Sequence, residues 1–169
     1  MLLALAILFA PLQEIPVAAP ITHNGVRPAV AATIAGIASF THWPQPQAPV
    51  RVCLAGVTQV AERDFAGVSI DDQPVAVTRI DRPAALASTR CSILYIGRMP
   101  VAVAQRLLWT GYGRAILTIA EDDPECRGGA MFCLRIEPAT VRFALNLDAI
   151  SRGAVKVDPR VLRLTRGVH

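Results

Sequence analysis

Apolar side chains recur at Val30, Ile34, Ile37 and Phe40 within RPAVAATIAGIASFTHW, residues 27–43. A spacing of three to four residues lines one face of a helix, so this segment is expected to be the first helix, with Pro28 at its N1 position. The prolines of THWPQPQAP, Pro44, Pro46 and Pro49, remove backbone donors and end it. The period then changes. VRVCLAG, residues 50–56, is a short apolar run rich in valine and closed by Gly56, which reads as a strand. Residues 58–66 are weakly helical, PVAVTRI (74–80) is a strand, DRPAALAST (81–89) a turn and short helix, and CSILYIG (91–97) a buried strand. A helix is expected over about residues 100–110 in PVAVAQRLLWT, with Val103, Leu107 and Leu108 on one side, followed by the strand RAILTIA, 114–120.

Strand and helix in alternation argue for parallel strands joined by helical crossovers. After the loop EDDPECRGG the rhythm breaks, because MFCLRIE and TVRFALNL are separated only by Pro138 and Ala139. That gap is too short for a crossover and predicts an antiparallel hairpin. Asn146 is a candidate cap for the chain beyond it. The remaining residues hold two short helical segments, the second with Asp158 as N-cap, Pro159 at N1 and Val161, Leu162 and Leu164 on the packing side. The fold class read from this pattern is a single α/β domain over residues 27–169, with a mostly parallel β-sheet flanked by helices and a C-terminal antiparallel hairpin.

The chain of 169 residues, 53% hydrophobic and 18% charged, has enough apolar surface for one packed core. MLLALAILFA, residues 1–10, is uncharged and apolar, and prolines and Glu14 come after it. This run is shorter than the ~18 residues of a membrane span but has the length of a signal-peptide core, so residues 1–19 are read as a signal peptide and the protein as exported. An uncleaved N-terminal anchor or a simple core strand is the alternative reading of the same run. The formal charge of +4 is carried almost entirely by arginine, Lys156 being the single lysine. The arginines are spread along the sequence (Arg51, Arg63, Arg79, Arg90, Arg106, Arg135, Arg152), without the compact basic run that marks nucleic-acid binding.

Four cysteines, Cys53, Cys91, Cys126 and Cys133, carry the sharpest chemical question. Zinc would want close pairs such as CxxC with histidine nearby, and a catalytic thiol would want a base. The histidines, His23, His42 and His169, lie before the first strand or at the chain end, which disfavours both. Two disulfides fit an even count in an exported protein. Cys126 and Cys133 flank Gly128 and Gly129, whose freedom at positive φ lets the chain turn back on itself. Cys53 and Cys91 sit in or beside two predicted strands, and can bond if those strands are neighbours. Four reduced cysteines buried in a cytosolic core remain the alternative.

Other chemistry is absent from the sequence pattern. Neither GxSxG nor GxxxxGK[ST] occurs, no cofactor motif is found, and Glu137 and Asp148 stand alone. The acidic cluster Glu121, Asp122 and Asp123 is expected to be a solvated loop, with a weak divalent-cation site as the sharper alternative. No enzymatic activity is expected. Trp109 and Tyr112, beside Gly111 and Gly113, are expected to be structural at a turn.

Taken in order, IAGIASFTHWP, VRVCLAG, CSILYIG, ILTIAEDDPECRGGAMFCLRI and VRFALNLDAISRGAVKVDPRVLRLTR resemble the YfiR-like family of periplasmic proteins across residues 30–168. Phe40, Trp43 and Pro44 reproduce the family's F-x-x-W-P. A GG before an apolar strand, the strand end VRF-x-x-N-L and the closing helix Val161–Arg166 occur together as in that family. The resemblance implies a periplasmic repressor of an inner-membrane diguanylate cyclase. Such a protein binds the cyclase's periplasmic sensor domain, lowers cyclic di-GMP signalling and so limits biofilm formation, and the repression is relieved through cysteine redox state or an outer-membrane lipoprotein. The four cysteines fall where the family places its disulfide-forming ones, and homodimers fit the family. Phe40, His42 and Trp43, where an apolar helix face meets the proline stretch, are expected to pack in the core or cap the sheet, and are also the candidate partner-binding residues. The alternative function is a periplasmic small-molecule binding module without a cyclase partner, using the crevice outside the carboxyl ends of the parallel strands.

Overall fold

The computed structural model describes residues 19–20, 25–45 and 47–165. The predicted signal peptide thus lies, apart from Ala19, outside the described residues, as do His23 and His169.

Strands β3 (Val50–Ala55), β5 (Gln73–Ile80), β6 (Ile93–Ile96), β7 (Leu117–Ala120) and β8 (Phe132–Ile136) form the parallel part of an eight-stranded sheet. β9 (Thr140–Leu145) pairs antiparallel with β8, Leu134 opposite Phe143, and is the predicted hairpin. Two short strands finish the edges. β1 (Ala19–Pro20) pairs antiparallel with β9, and β4 (Ser69–Ile70) with β5. Across the sheet the order is β1-β9-β8-β7-β6-β3-β5-β4. The parallel strands therefore build outward from β3 in both directions, β5 on one side and β6 on the other.

Both faces of the sheet are covered, which is why its strands read as near-continuous apolar runs. Alternate residues divide between two cores. Val52, Leu54, Ile93, Tyr95, Leu117, Ile119, Phe132 and Phe143 face helix α1 (Val26–Ser39), whose Val30, Ile34 and Ile37 are fully buried. Phe132 and Phe143 meet edge to face across the hairpin, with ring centroids 5.6 Å apart. Cys53, Ala55, Leu94, Ile96, Ala120 and Cys133 face α2 (Pro83–Ser88) and α3 (Val101–Gly111), through Leu86 and Leu107. The result is a three-layer α/β/α domain, as expected.

The elements depart from the sequence pattern in four places. Helix α1 starts at Val26, which puts Pro28 at its third position rather than N1, still within the turn whose N–H groups have no helical partner. It stops at Ser39 because the next residues are recruited elsewhere: β2 (Thr41–His42) pairs with β10 (Lys156–Val157), and the Thr41 hydroxyl donates back to the Ile37 carbonyl at 3.1 Å. The strand expected from residue 114 begins at Leu117, since the backbone N–H groups of Arg114 and Ile116 are used in local turn bonds, to the carbonyls of Gly111 at 3.1 Å and Arg114 at 2.8 Å. Finally, the closing segment Pro159–Thr165 is a 3-10 helix. Its period of three keeps Val161 buried and Leu164 half-buried against Gly36, and turns Leu162 outward, contrary to the expected packing side.

Candidate functional site

In an open α/β sheet, ligands are taken up outside the carboxyl ends of the strands where the strand order reverses. Here that point lies between β3 and β6. The chain closes it with its own backbone: Val57 and Arg98 exchange hydrogen bonds at 3.1 and 2.9 Å, and the Gly97 N–H donates to the Ala55 carbonyl at 2.8 Å. The approach is so close that a Cβ on Gly97 would collide with the Val57 carbonyl. The crevice expected for the binding-module alternative is therefore bridged at its centre.

Next to the bridge stands Glu121, at the end of β7. Its carboxylate accepts the Tyr95 hydroxyl at 2.6 Å and the Gln59 N–H at 3.0 and 3.1 Å, so one side chain ties the loop after β3 to two central strands. Burial is the larger influence on this carboxyl and raises its pKa. Hydrogen bonds from Tyr95 and Gln59 and the charge of Arg98 pull the other way, while Asp122 adds to the rise. The Tyr95 phenol is raised as well, by burial first and then by the neighbouring Glu121. Thus only part of the acidic cluster is a solvated loop. Asp122 is exposed, Glu121 is a half-buried latch, and Asp123 organises the disulfide loop.

Asp123 accepts from the N–H groups of Arg127 at 3.2 Å and Gly128 at 2.6 Å, folding residues 123–128 around its carboxylate. A Cβ on Gly128 would meet that carboxylate at 2.8 Å, which explains glycine there by close approach rather than by positive φ. The left-handed residues of the loop are Gly129, as expected, and Cys126 in place of Gly128. Both predicted disulfides are present. Cys126 and Cys133 are joined with Cα atoms 5.4 Å apart, and Cys53 and Cys91 with Cα atoms 5.8 Å apart. All four sulfurs are thereby occupied. Asn146 accepts the Ala149 N–H at 2.9 Å as the cap of α4 (Leu147–Arg152), and its amide donates to the Cys126 carbonyl at 3.1 Å, joining the hairpin end to the disulfide loop. Among the described residues no three His, Cys, Asp or Glu side chains gather in a way that could hold a metal.

Between this loop and α3 lies a cavity of about 190 Å³. Ile96, Met99, Ala104 and Leu108 give it apolar walls, and Asp122 and Asp123 add carboxylates.

The residues predicted for partner binding are scattered in their exposure. Phe40 is the C-cap of α1 and, with Trp43, packs partly buried against the main core. The Trp43 indole N–H donates to the Ser92 carbonyl at 3.1 Å, which gives the ring a structural anchor. His42 is exposed, opposite Lys156 in the β2–β10 ribbon. Trp109 and Tyr112, expected to be structural, are instead 74% and 62% exposed, with ring centroids 6.0 Å apart. Val101, on the same helix, is 70% exposed. Helix periodicity alone did not reveal this, because both faces of α3 carry apolar residues.

The sequence profile of the YfiR/HmsC-like family matches residues 28–166, from the first turn of α1 to the last helical segment. The chain belongs to the YfiR/HmsC-like family. The match takes in both disulfides, the hairpin and the Glu121 latch. Among solved structures, that of metB from Corynebacterium glutamicum superposes at a TM-score of 0.47 with 8% identity, over 72% of this chain and 37% of that one. This chain therefore spans little more than a third of that protein's length. Tyr95, Glu121 and Gln59 were missed as a unit by sequence reasoning. They lie on three separate segments, and only strand order brings them together.

Proposed function

We propose that this protein is an exported, periplasmic regulatory binding protein that represses an inner-membrane diguanylate cyclase by binding the cyclase's periplasmic sensor domain. The observation that carries the reading is the family match over residues 28–166. Two disulfides suit an oxidising compartment, and an apolar leader at residues 1–19 supplies a route of export. With the sensor held, cytoplasmic cyclic di-GMP synthesis stays low and biofilm formation with it. An outer-membrane lipoprotein that competes for the repressor would relieve this.

The contact surface in this proposal is the exposed face of α3, where Val101, Trp109 and Tyr112 present apolar area to solvent. Aromatic side chains are enriched at the energetic centres of interfaces. The segment Phe40–Trp43 offers chiefly His42, since its two rings are engaged in packing. The deciding experiment measures intracellular cyclic di-GMP in a strain deleted for this gene, in a complemented strain, and in a double deletion that also lacks the cognate cyclase. A rise that complementation and the second deletion both abolish is expected. No rise under conditions where the protein is expressed would remove the proposal.

A further inference from the structure

Arg51, Arg90 and Arg114 belong to three distant stretches of sequence, and the fold brings them to one place. Arg51 opens β3, Arg90 precedes β6, and Arg114 precedes β7, so parallel pairing sets all three at the amino ends of adjacent strands. There they line a cleft of about 540 Å³ together with Gln45, Gln47 and Ser92. That volume falls within the ~300–1,000 Å³ of small-molecule sites. The cleft lies at the opposite end of the sheet from the Glu121 latch.

Among the described residues no carboxylate lines this cleft. Elsewhere Arg27, Arg127, Arg142, Arg152 and Arg160 have acidic partners, whereas Arg51, Arg90 and Arg114 form no ion pair among the described residues. Two of the guanidiniums are held in place by neutral groups. Arg51 donates to the Thr78 hydroxyl at 3.2 Å, and Arg114 donates to the carbonyls of Leu86 at 2.6 Å and Thr89 at 2.8 Å. These bonds fix the side chains but use only part of the five N–H donors of each guanidinium, and they cancel no charge. The Gln47 side chain is also oriented, by the Ser92 hydroxyl at 3.0 Å and through its own bond to the Gln45 carbonyl at 3.2 Å. The wall is stiffened by Cys91, which lies between Arg90 and Ser92 and is bonded to Cys53 in β3. Three positive charges thus converge on a polar, preorganised cleft with no counter-charge among the described residues.

We propose that this cleft binds a small multivalent oxyanion, a phosphate monoester or a polycarboxylate, with Arg51, Arg90 and Arg114 as its charge-bearing ligands. Guanidinium forks match the oxygen spacing of both groups, and preorganisation lowers the cost of binding. The proposal is independent of the cyclase, because it concerns what the purified protein binds.

The test uses the full chain at constant ionic strength, with melting temperature and calorimetric titration as readouts, and inorganic phosphate, glycerol 3-phosphate and citrate as probes against chloride. A saturable stabilisation by at least one probe is expected, since a ligand that binds only the folded state raises its stability by mass action. Which probe gives it identifies the phosphate or the carboxylate class. R51Q and R90Q should each weaken binding by about tenfold or more, on the strength of charge-assisted hydrogen bonds. Arg90 is exposed, so R90Q tests the charge without disturbing packing. R127Q makes the same charge change in the disulfide loop, away from the cleft, and should leave affinity unchanged. Three results would each overturn the proposal: no saturable response to any probe, an equal response to chloride, or an equal loss in R127Q and R90Q.

Discussion

Glu121 shows how one side chain can hold a sheet end together at a cost that depends on pH. Its carboxylate receives Tyr95 and Gln59 from two other segments, yet burial raises its pKa above the ordinary carboxylate value. A folded-state pKa above the unfolded one means that folding favours the protonated form. The resulting stabilisation is fully present below the unfolded value and is lost as pH rises through the folded value. Urea midpoints measured upward from about pH 4, where unfolded carboxylates titrate, should therefore fall for the wild type relative to E121Q, whose amide carries no such titration. Parallel curves for the two proteins would refute this. Asp158 behaves in the opposite sense: the Arg160 side chain and N–H lower its pKa to about 2, so its contribution is lost only as pH falls towards that value. Residue roles that depend on near neighbours, such as the caps Asn146 and Asp158, were legible in the sequence. The Tyr95–Glu121 pair was not, because its partners lie 26 positions apart and no local period links them.

At the scale of elements, the connection from β7 to β8 is the unusual one. Parallel neighbours ordinarily need a crossover of a dozen or more residues, most often a helix. Residues 121–131 do this without a helix, drawn in by the Asp123 carboxylate and closed by the Cys126–Cys133 bond on the same face as α2 and α3. The disulfide takes over the restraint a helix would supply, so Cys126→Ser and Cys133→Ser should each lower stability by about 2–3 kcal/mol on the loop-entropy account. Urea or thermal unfolding of protein purified from the periplasm would measure the loss, and unchanged midpoints for both single variants would refute it. The main strands and α1 were readable because apolar runs or a helical period bounded by glycine and proline specify them. The two-residue strands β2, β4 and β10 were not, since pairing with a distant segment, rather than composition, makes them extended.

For the whole molecule, layering decides which apolar residues are free to meet another protein. Helix α1 is enclosed on most sides, but α3 turns only Leu107 and Gly111 fully inward and leaves Trp109 and Tyr112 in solvent. Trp109→Ala should change stability by less than about 0.5 kcal/mol, as exposed positions do, while raising cellular cyclic di-GMP through weakened repression. Trp43→Ala should instead lower the melting temperature, because its ring is packed and hydrogen-bonded. A melting loss in W109A, or unaltered cyclic di-GMP, would move the contact surface away from α3. This distinction could not be read from sequence, nor could the convergence of Arg51, Arg90 and Arg114, because both arise from a strand order that apolar pattern does not encode. The same strand order bears on how any partner can attach. One sheet margin is β1, two residues long and containing Pro20, and the other is β4, also two residues long and leading into Asp71 and Asp72, both with positive φ. Short margins with proline or charge offer little template of their own, but each covers only two residues of its neighbour, Thr140 and Val141 of β9 and Gln73 and Pro74 of β5. Among the described residues the outer edge of β5 from Val75 to Ile80 has no strand beside it, which leaves room for a partner peptide to pair by β-augmentation as well as for contact through side chains.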